Sequence, residues 1–210
     1  MPTNFPTSVD VLTNPVSNDS LNSPSHSLQH ANANDAIEAI ETTLFAGGIN
    51  YTGLVLLATA APSASTAIQF DNAFNSTYLN YKIVWNLTMA SSNDLFFKYR
   101  TSGSDLSTGY ASTGIVISSS TGAISAYGAN TGTGAYISQI GTSRMAGEIE
   151  ILSPSISGQN RHTVHMGQGL NGVHYGGSYN LSAGSIDGFV LSAFGVAMTG
   201  FVKLYGYRNA

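Results

Sequence analysis

Over Tyr81–Met89 the sequence reads YKIVWNLTM, and its apolar residues recur at every second position. Tyr81, Ile83, Trp85, Leu87 and Met89 fall on one face of an extended chain; Lys82, Val84, Asn86 and Thr88 fall on the other. A period of two excludes a helix here and calls for a strand with one face buried. The same period recurs in LFFKYR, where Leu95, Phe97 and Tyr99 oppose Phe96, Lys98 and Arg100. It recurs again in MAGEIEIL, where Met145, Gly147, Ile149 and Ile151 oppose Ala146, Glu148, Glu150 and Leu152. Further strand candidates lie at 54–58, 66–70, 114–118, 161–166, 187–194 and 199–207. The turn signals SSND, SGSD, PSISGQN and GGSYN separate them. Eight or nine short strands without helical patterns between them predict a mainly β chain, with a jelly-roll-like β-sandwich over residues 47–210.

The first quarter of the chain reads differently. Residues 1–22, MPTNFPTSVDVLTNPVSNDSLN, carry Pro2, Pro6 and Pro15 and scattered apolar residues with no period. They predict an extended arm, ordered where it lies on a partner, with Phe5, Leu12 and Leu21 as its anchoring contacts. A short α-helix is expected over 23–46. Ser23 can cap it, Pro24 suits its first position, and Gly47 and Gly48 end it. A heptad places His30, Ile37 and Leu44 at one seam position and Ala33 and Ile40 at the other. Two heptads are too short to hold a coiled coil alone, so the stripe needs other copies of the chain or the β domain to cover it.

Charge restricts the partners. Charged residues are 9 % of the chain against roughly 25 % in ordinary soluble domains, so Ser, Thr, Asn, Gly and Tyr must supply the surface. No Lys or Arg precedes Lys82, and none of the later cations forms a stripe, which argues against binding nucleic acid through its phosphates. The absence of cysteine excludes disulfides, thiol nucleophiles and Cys-ligated metals. No cationic segment precedes an apolar one at the N-terminus, and the longest apolar run, GLVLLATAA, is about half a membrane span; neither a Sec-type signal nor membrane insertion is expected. From Leu106 to Ser143 the chain has no charged residue at all. Such a stretch reads either as long loops around two strands or as a surface buried between subunits.

Motifs for chemistry are sparse. GQGLNG at Gly167–Gly172 matches G-x-G-x-x-G, with Asp187 downstream, but VHYGGSYNLSAGS follows it and cannot form the helix that receives a pyrophosphate. A turn is the better reading. His162 and His165, three apart in a strand, point to opposite faces, so even with His174 nearby no metal site is expected within one chain. Glu148 and Glu150 share a strand face at about 7 Å, a spacing that admits glycoside hydrolysis but equally a solvated face paired with Arg144 or Arg161. No G-x-S-x-G elbow occurs. No catalytic residue and no cofactor is expected. Tyr110, Tyr127, Tyr136, Tyr175 and Tyr179 sit among Gly, Ser and Asn, the composition of adaptable binding loops, and are the candidates for stacking on host surface carbohydrate.

Three stretches resemble tailed-bacteriophage virion proteins. NFPTSVDVLTNP followed by LNSPSHSLQHANANDAIEAIE, between residues 3 and 42, is similar to a cassette at the start of phage minor structural and fibre-like proteins. FDNAFNSTYLNYKIVW, residues 70–85, resembles the opening of a β-sandwich domain of phage fibres and appendages, and GFVKLYGYR, residues 200–208, resembles its last strand. The resemblance implies a non-enzymatic virion component, commonly a homotrimer, assembled in the host cytoplasm. Its N-terminus would attach to other virion proteins, such as major capsid or tail proteins, and its β domain would face outward. No repeated shaft is present, which fits a short appendage or a capsid decoration protein better than a long fibre. A host-glycan-acting enzyme is a further alternative.

Overall fold

The computed structural model describes residues 26–45, 53–129, 132–156, 161–181 and 186–208. Among them are one helix, α1 (His26–Phe45), and thirteen strands. The strands are β1 (Leu54–Ala60), β2 (Ala67–Phe70), β3 (Tyr78–Met89), β4 (Asn93–Thr101), β5 (Ser104–Asp105), β6 (Tyr110–Ser118) and β7 (Ile124–Ala129), then β8 (Ala135–Ile140), β9 (Met145–Leu152), β10 (Arg161–Gly169), β11 (Gly172–Asn180), β12 (Gly188–Ser192) and β13 (Met198–Arg208). The chain divides into two units, Met1–Tyr51 and Thr52–Ala210.

Helix α1 falls inside the span expected from the sequence. His30, Ala33, Ile37 and Ile40 follow steps of three and four, which puts them on one side of the helix. All of them are exposed, Ile37 by 53 % and Ile40 by 44 %. The arm with Phe5, Leu12 and Leu21, the cap at Ser23 and Pro24, and the side chain of Leu44 lie outside the described residues.

In the second unit every strand pairing is antiparallel. One sheet has eight strands in the order β1-β13-β3-β9-β10-β11-β6-β7; the other runs β2-β12-β4-β5, with β8 also paired to β4. The alternation read over Tyr81–Met89 becomes β3, whose odd-numbered residues from Tyr81 to Met89 are all buried. They pack with Ile149 and Ile151 of β9 and Val202 and Leu204 of β13 into one apolar cluster. The second sheet supplies Leu95, Phe97 and Tyr99 of β4, Phe189 and Leu191 of β12, and Ile137 and Ile140 of β8 to the same cluster. Phe74 joins the two sides, its ring 4.6 Å from that of Tyr81 and 5.9 Å from that of Phe189. Two antiparallel sheets sharing one core are consistent with the expected β-sandwich.

The strand assignment needs correction where glycine and serine dominate. Three strands, β6, β7 and β8, run through the uncharged stretch, one more than the reading of long loops around two strands, and GGSYN is the second half of β11, not a turn. Glycine lowered the strand signal in each case, yet here it serves the sheet. Gly147 of β9 and Gly167 of β10 are paired across the strands, and the Trp85 ring lies over both. A Cβ would stand 2.4 Å from Trp85 Cζ2 at Gly147 and 2.8 Å at Gly167. Only glycine admits an indole this close to the sheet.

Candidate functional site

The same device builds a polar cluster at the other end of the large sheet. Tyr127 of β7, Gly114 of β6, Gly176 of β11 and His165 of β10 are aligned across neighbouring strands. A Cβ at Gly114 would lie 2.5 Å from the Tyr127 ring, and one at Gly176 would lie 2.4 Å from its hydroxyl. The ring therefore lies flat along two glycines, and its hydroxyl shares a 2.7 Å hydrogen bond with His165 Nε2. His174 of β11 is the diagonal neighbour of His165 on the same face. Its ring centroid lies 6.2 Å from that of Tyr127 and 6.0 Å from that of Tyr136 on β8. Tyr127 and Tyr136 meet edge to face at 5.0 Å.

The cluster is sealed. His165 is 2 % exposed and His174 3 %. Burial, and then the neighbouring His174, holds the His165 imidazole down at about 4. Burial also lowers His174, against a smaller opposing pull from Asp94. Burial pushes the Tyr127 hydroxyl up to about 12, and burial with the Asp94 charge raises Tyr136. All four groups are thus neutral near pH 7. Both ring nitrogens of His174, Nδ1 of His165 and Oγ of Ser138 have no hydrogen-bond partner among the described residues. A Cβ at Gly169 would meet His174 Nε2 at 2.4 Å and Ser138 Oγ at 2.7 Å, so these two atoms border one spot. His162 points to the opposite, exposed face, as its spacing from His165 predicted. Among the described residues, no group of three or more His, Asp or Glu comes together to hold a metal.

The five candidate tyrosines do not form one site, and all five stand on strands rather than loops. Tyr110 is a core residue, 1 % exposed, and its hydroxyl accepts a 2.7 Å hydrogen bond from the Tyr99 amide. Its ring stacks over Tyr99 and offers no face to a sugar. Tyr127 and Tyr136 are committed to the histidine cluster. Only Tyr175 and Tyr179 are exposed, on the outer face of β11. Two strand residues four apart share a face at about 13 Å, and His162 of β10 lies beside Tyr179.

The remaining motifs resolve structurally. GQGLNG is the tip of the β10–β11 hairpin, with Gly169 paired to Gly172 around Leu170 and Asn171. Glu148 and Glu150 share a face as expected, and Lys82 pairs with them at 2.7 and 3.8 Å; the side chain of Arg161 lies outside the described residues. The Tyr207 hydroxyl also donates to Glu150 at 2.7 Å, and desolvation and the carboxylate push it up to about 12. No helix among the described residues is long and apolar enough to cross a membrane. Comparison with protein-family models, with curated proteins and with solved structures gives no match.

The histidine cluster was hidden in the sequence. His174, Tyr127 and Tyr136 lie far apart along the chain and meet only through the strand order. The available signal was the density of glycine in β10 and β11, at Gly167, Gly169, Gly172, Gly176 and Gly177, which clears room on a sheet for large side chains.

Proposed function

We propose that this chain is a non-enzymatic structural protein of a tailed-phage virion: a short trimeric appendage with a jelly-roll-like head. Residues 1–46 anchor it to the particle and associate its copies, and the β unit faces outward. The resemblance of residues 3–42 to a phage cassette motivates this reading. The observation that carries it is the apolar stripe of α1, where Ile37 and Ile40 are half exposed. An exposed stripe at heptad spacing on a 20-residue helix calls for a partner helix or a docking surface.

Capsid decoration is the second reading, since an anchored β unit serves either place. Host-glycan hydrolysis has less support, because Glu148 and Glu150 share Lys82 on an outer sheet face. Antibodies against the β unit should label intact particles of the phage that carries this sequence, at the tail or over the capsid. Light scattering should give three times the 21.9 kDa chain mass. Unlabelled particles would overturn the virion reading, and a monomeric mass would overturn the trimer.

A further inference from the structure

Half of the large sheet has its polarity turned inside out. The inward, buried side chains of β10 are Thr163, His165, Gly167 and Gly169; the outward, exposed ones are His162, Val164, Met166 and Gln168. On β11, His174, Ser178 and Asn180 are buried, whereas Val173, Tyr175 and Tyr179 face out. On β6, Ser112 points in and Ile115 points out. A sheet with one solvated face ordinarily shows the reverse alternation.

Strand register makes these outward residues contiguous. Ile115, Tyr175 and Met166 stand side by side across β6, β11 and β10. Val164 lies two positions along from Met166, and Ile117 pairs with Val173 in the adjacent row. Val164 is 53 % exposed, Met166 42 % and Tyr175 40 %. Three to four strands over six residues make a patch of roughly 300–400 Å². The largest apolar patch of a monomer reaches that size and is often functional; with a polar rim such as His162 and Gln168, it makes up the apolar centre of the roughly 800 Å² that one partner contributes to a stable interface.

We infer that this face of β6, β11 and β10 is covered by a second copy of the same chain. The inference rests on the proposed self-association and names the surface that β units use for it. Symmetric association brings identical residues together near the axis, where any unpaired charge meets its own sign. This patch carries no charged residue, and the nearest acids, Glu148 and Glu150, are already paired with Lys82. A glycan fits less well: Val164, Met166, Val173, Ile115 and Ile117 give the tyrosines aliphatic neighbours that cannot bond sugar hydroxyls.

The chain has no cysteine, so a single introduced thiol reports on one place. Val164→Cys is compared with Ser143→Cys, which lies in the exposed turn between β8 and β9, each in the full chain. Maleimide labelling is followed beside mass by light scattering. We expect an oligomer in which the Val164→Cys thiol reacts on the order of tenfold more slowly, because it is reached only when the contact opens. Met166→Lys should remove that protection and lower the mass. An oligomer in which both thiols react alike overturns this face and leaves self-association intact. A monomer at all concentrations overturns both. A monomer in which Val164→Cys is protected only on adding host polysaccharide gives the face to carbohydrate and overturns the second copy.

Discussion

His165 should make this fold acid-sensitive in a way that one substitution removes. In the folded chain the imidazole is held at about 4, against an ordinary value of 6.5. The unfolded chain therefore binds the proton more readily. Stability is fully present above pH 6.5 and drains away as pH falls towards 4, below which this group contributes no further change. The fall from 6.5 to about 4, at 1.36 kcal/mol per tenfold change in proton affinity, bounds the loss at about 3 kcal/mol, most of it reached by pH 4. His174 faces it on β11, Tyr127 and Tyr136 close it from β7 and β8, and Asp94 of β4 acts on His174 and Tyr136. A proton on His165 would thus enter a pocket whose neighbours are a second imidazole and two phenols. His165→Gln keeps a group able to meet the Tyr127 hydroxyl but cannot titrate. Urea unfolding at pH 7.5 and pH 4.0 measures both proteins. The wild type should lose about 3 kcal/mol more than the variant across that interval; carboxylates titrate in both and cancel in the comparison. Equal losses in the two proteins would refute the assignment of the acid response to His165.

Two other perturbations test the packing. Gly147→Ala would set a Cβ 2.4 Å from Trp85 Cζ2 and 2.7 Å from the Met166 carbonyl oxygen, and should cost about 1–3 kcal/mol in urea unfolding, whereas Gly128→Ala, with its nearest neighbour 3.9 Å away, should leave the midpoint unchanged. Arg100 is buried and bonds Asp71 at 2.7 Å, Asp105 and the Gly103 carbonyl, so Arg100→Met should cost about 2 kcal/mol and loosen the β4–β5 turn, read as faster amide exchange at Leu106, whose N–H donates to the Tyr99 carbonyl.

Strands with a large, one-sided apolar signal were legible from the residues alone. Tyr81–Met89, Leu95–Arg100 and Met145–Leu152 became β3, β4 and β9, because burial of one face dictates both their period and their register. The helix was legible for the same reason: its period changes to steps of three and four. Strands β7, β8 and β11 were not, since ISAYGA, AYISQI and GVHYGGSYN mix glycine and serine with a few rings and give no consistent apolar face. The glycines of this region are explained only by partners on other strands, as Gly114 of β6 and Gly176 of β11 are by Tyr127. Single-residue spacing could separate His162 from His165 but could not bring His165 to His174, which takes the pairing of β10 with β11.

The polar interior and the apolar exterior of the β10–β11–β6 region share one cause. A strand has only two faces, so side chains that line a histidine–tyrosine cluster inside leave the alternate positions to whatever lies outside. If solvent lay outside, Val164, Met166 and Ile115 would gain nothing over Thr, Lys or Glu, and exposed aliphatic rows on a sheet carry an aggregation hazard. Their presence is accounted for when that face is covered in the assembled protein. On the proposed assembly the two halves of the large sheet divide the labour: β13, β3 and β9 bury their apolar face within the chain, and β10, β11 and β6 would bury theirs against a second copy. Charged outward side chains follow the same division. Lys82, Glu148, Glu150 and Lys203 stand on the half whose apolar face is internal, and none of the described outward side chains of β6, β10 and β11 is Lys, Arg, Asp or Glu. Carrying a charge across that boundary, as Met166→Lys does, therefore tests assembly more than folding, because the substituted side chain already faces away from the core.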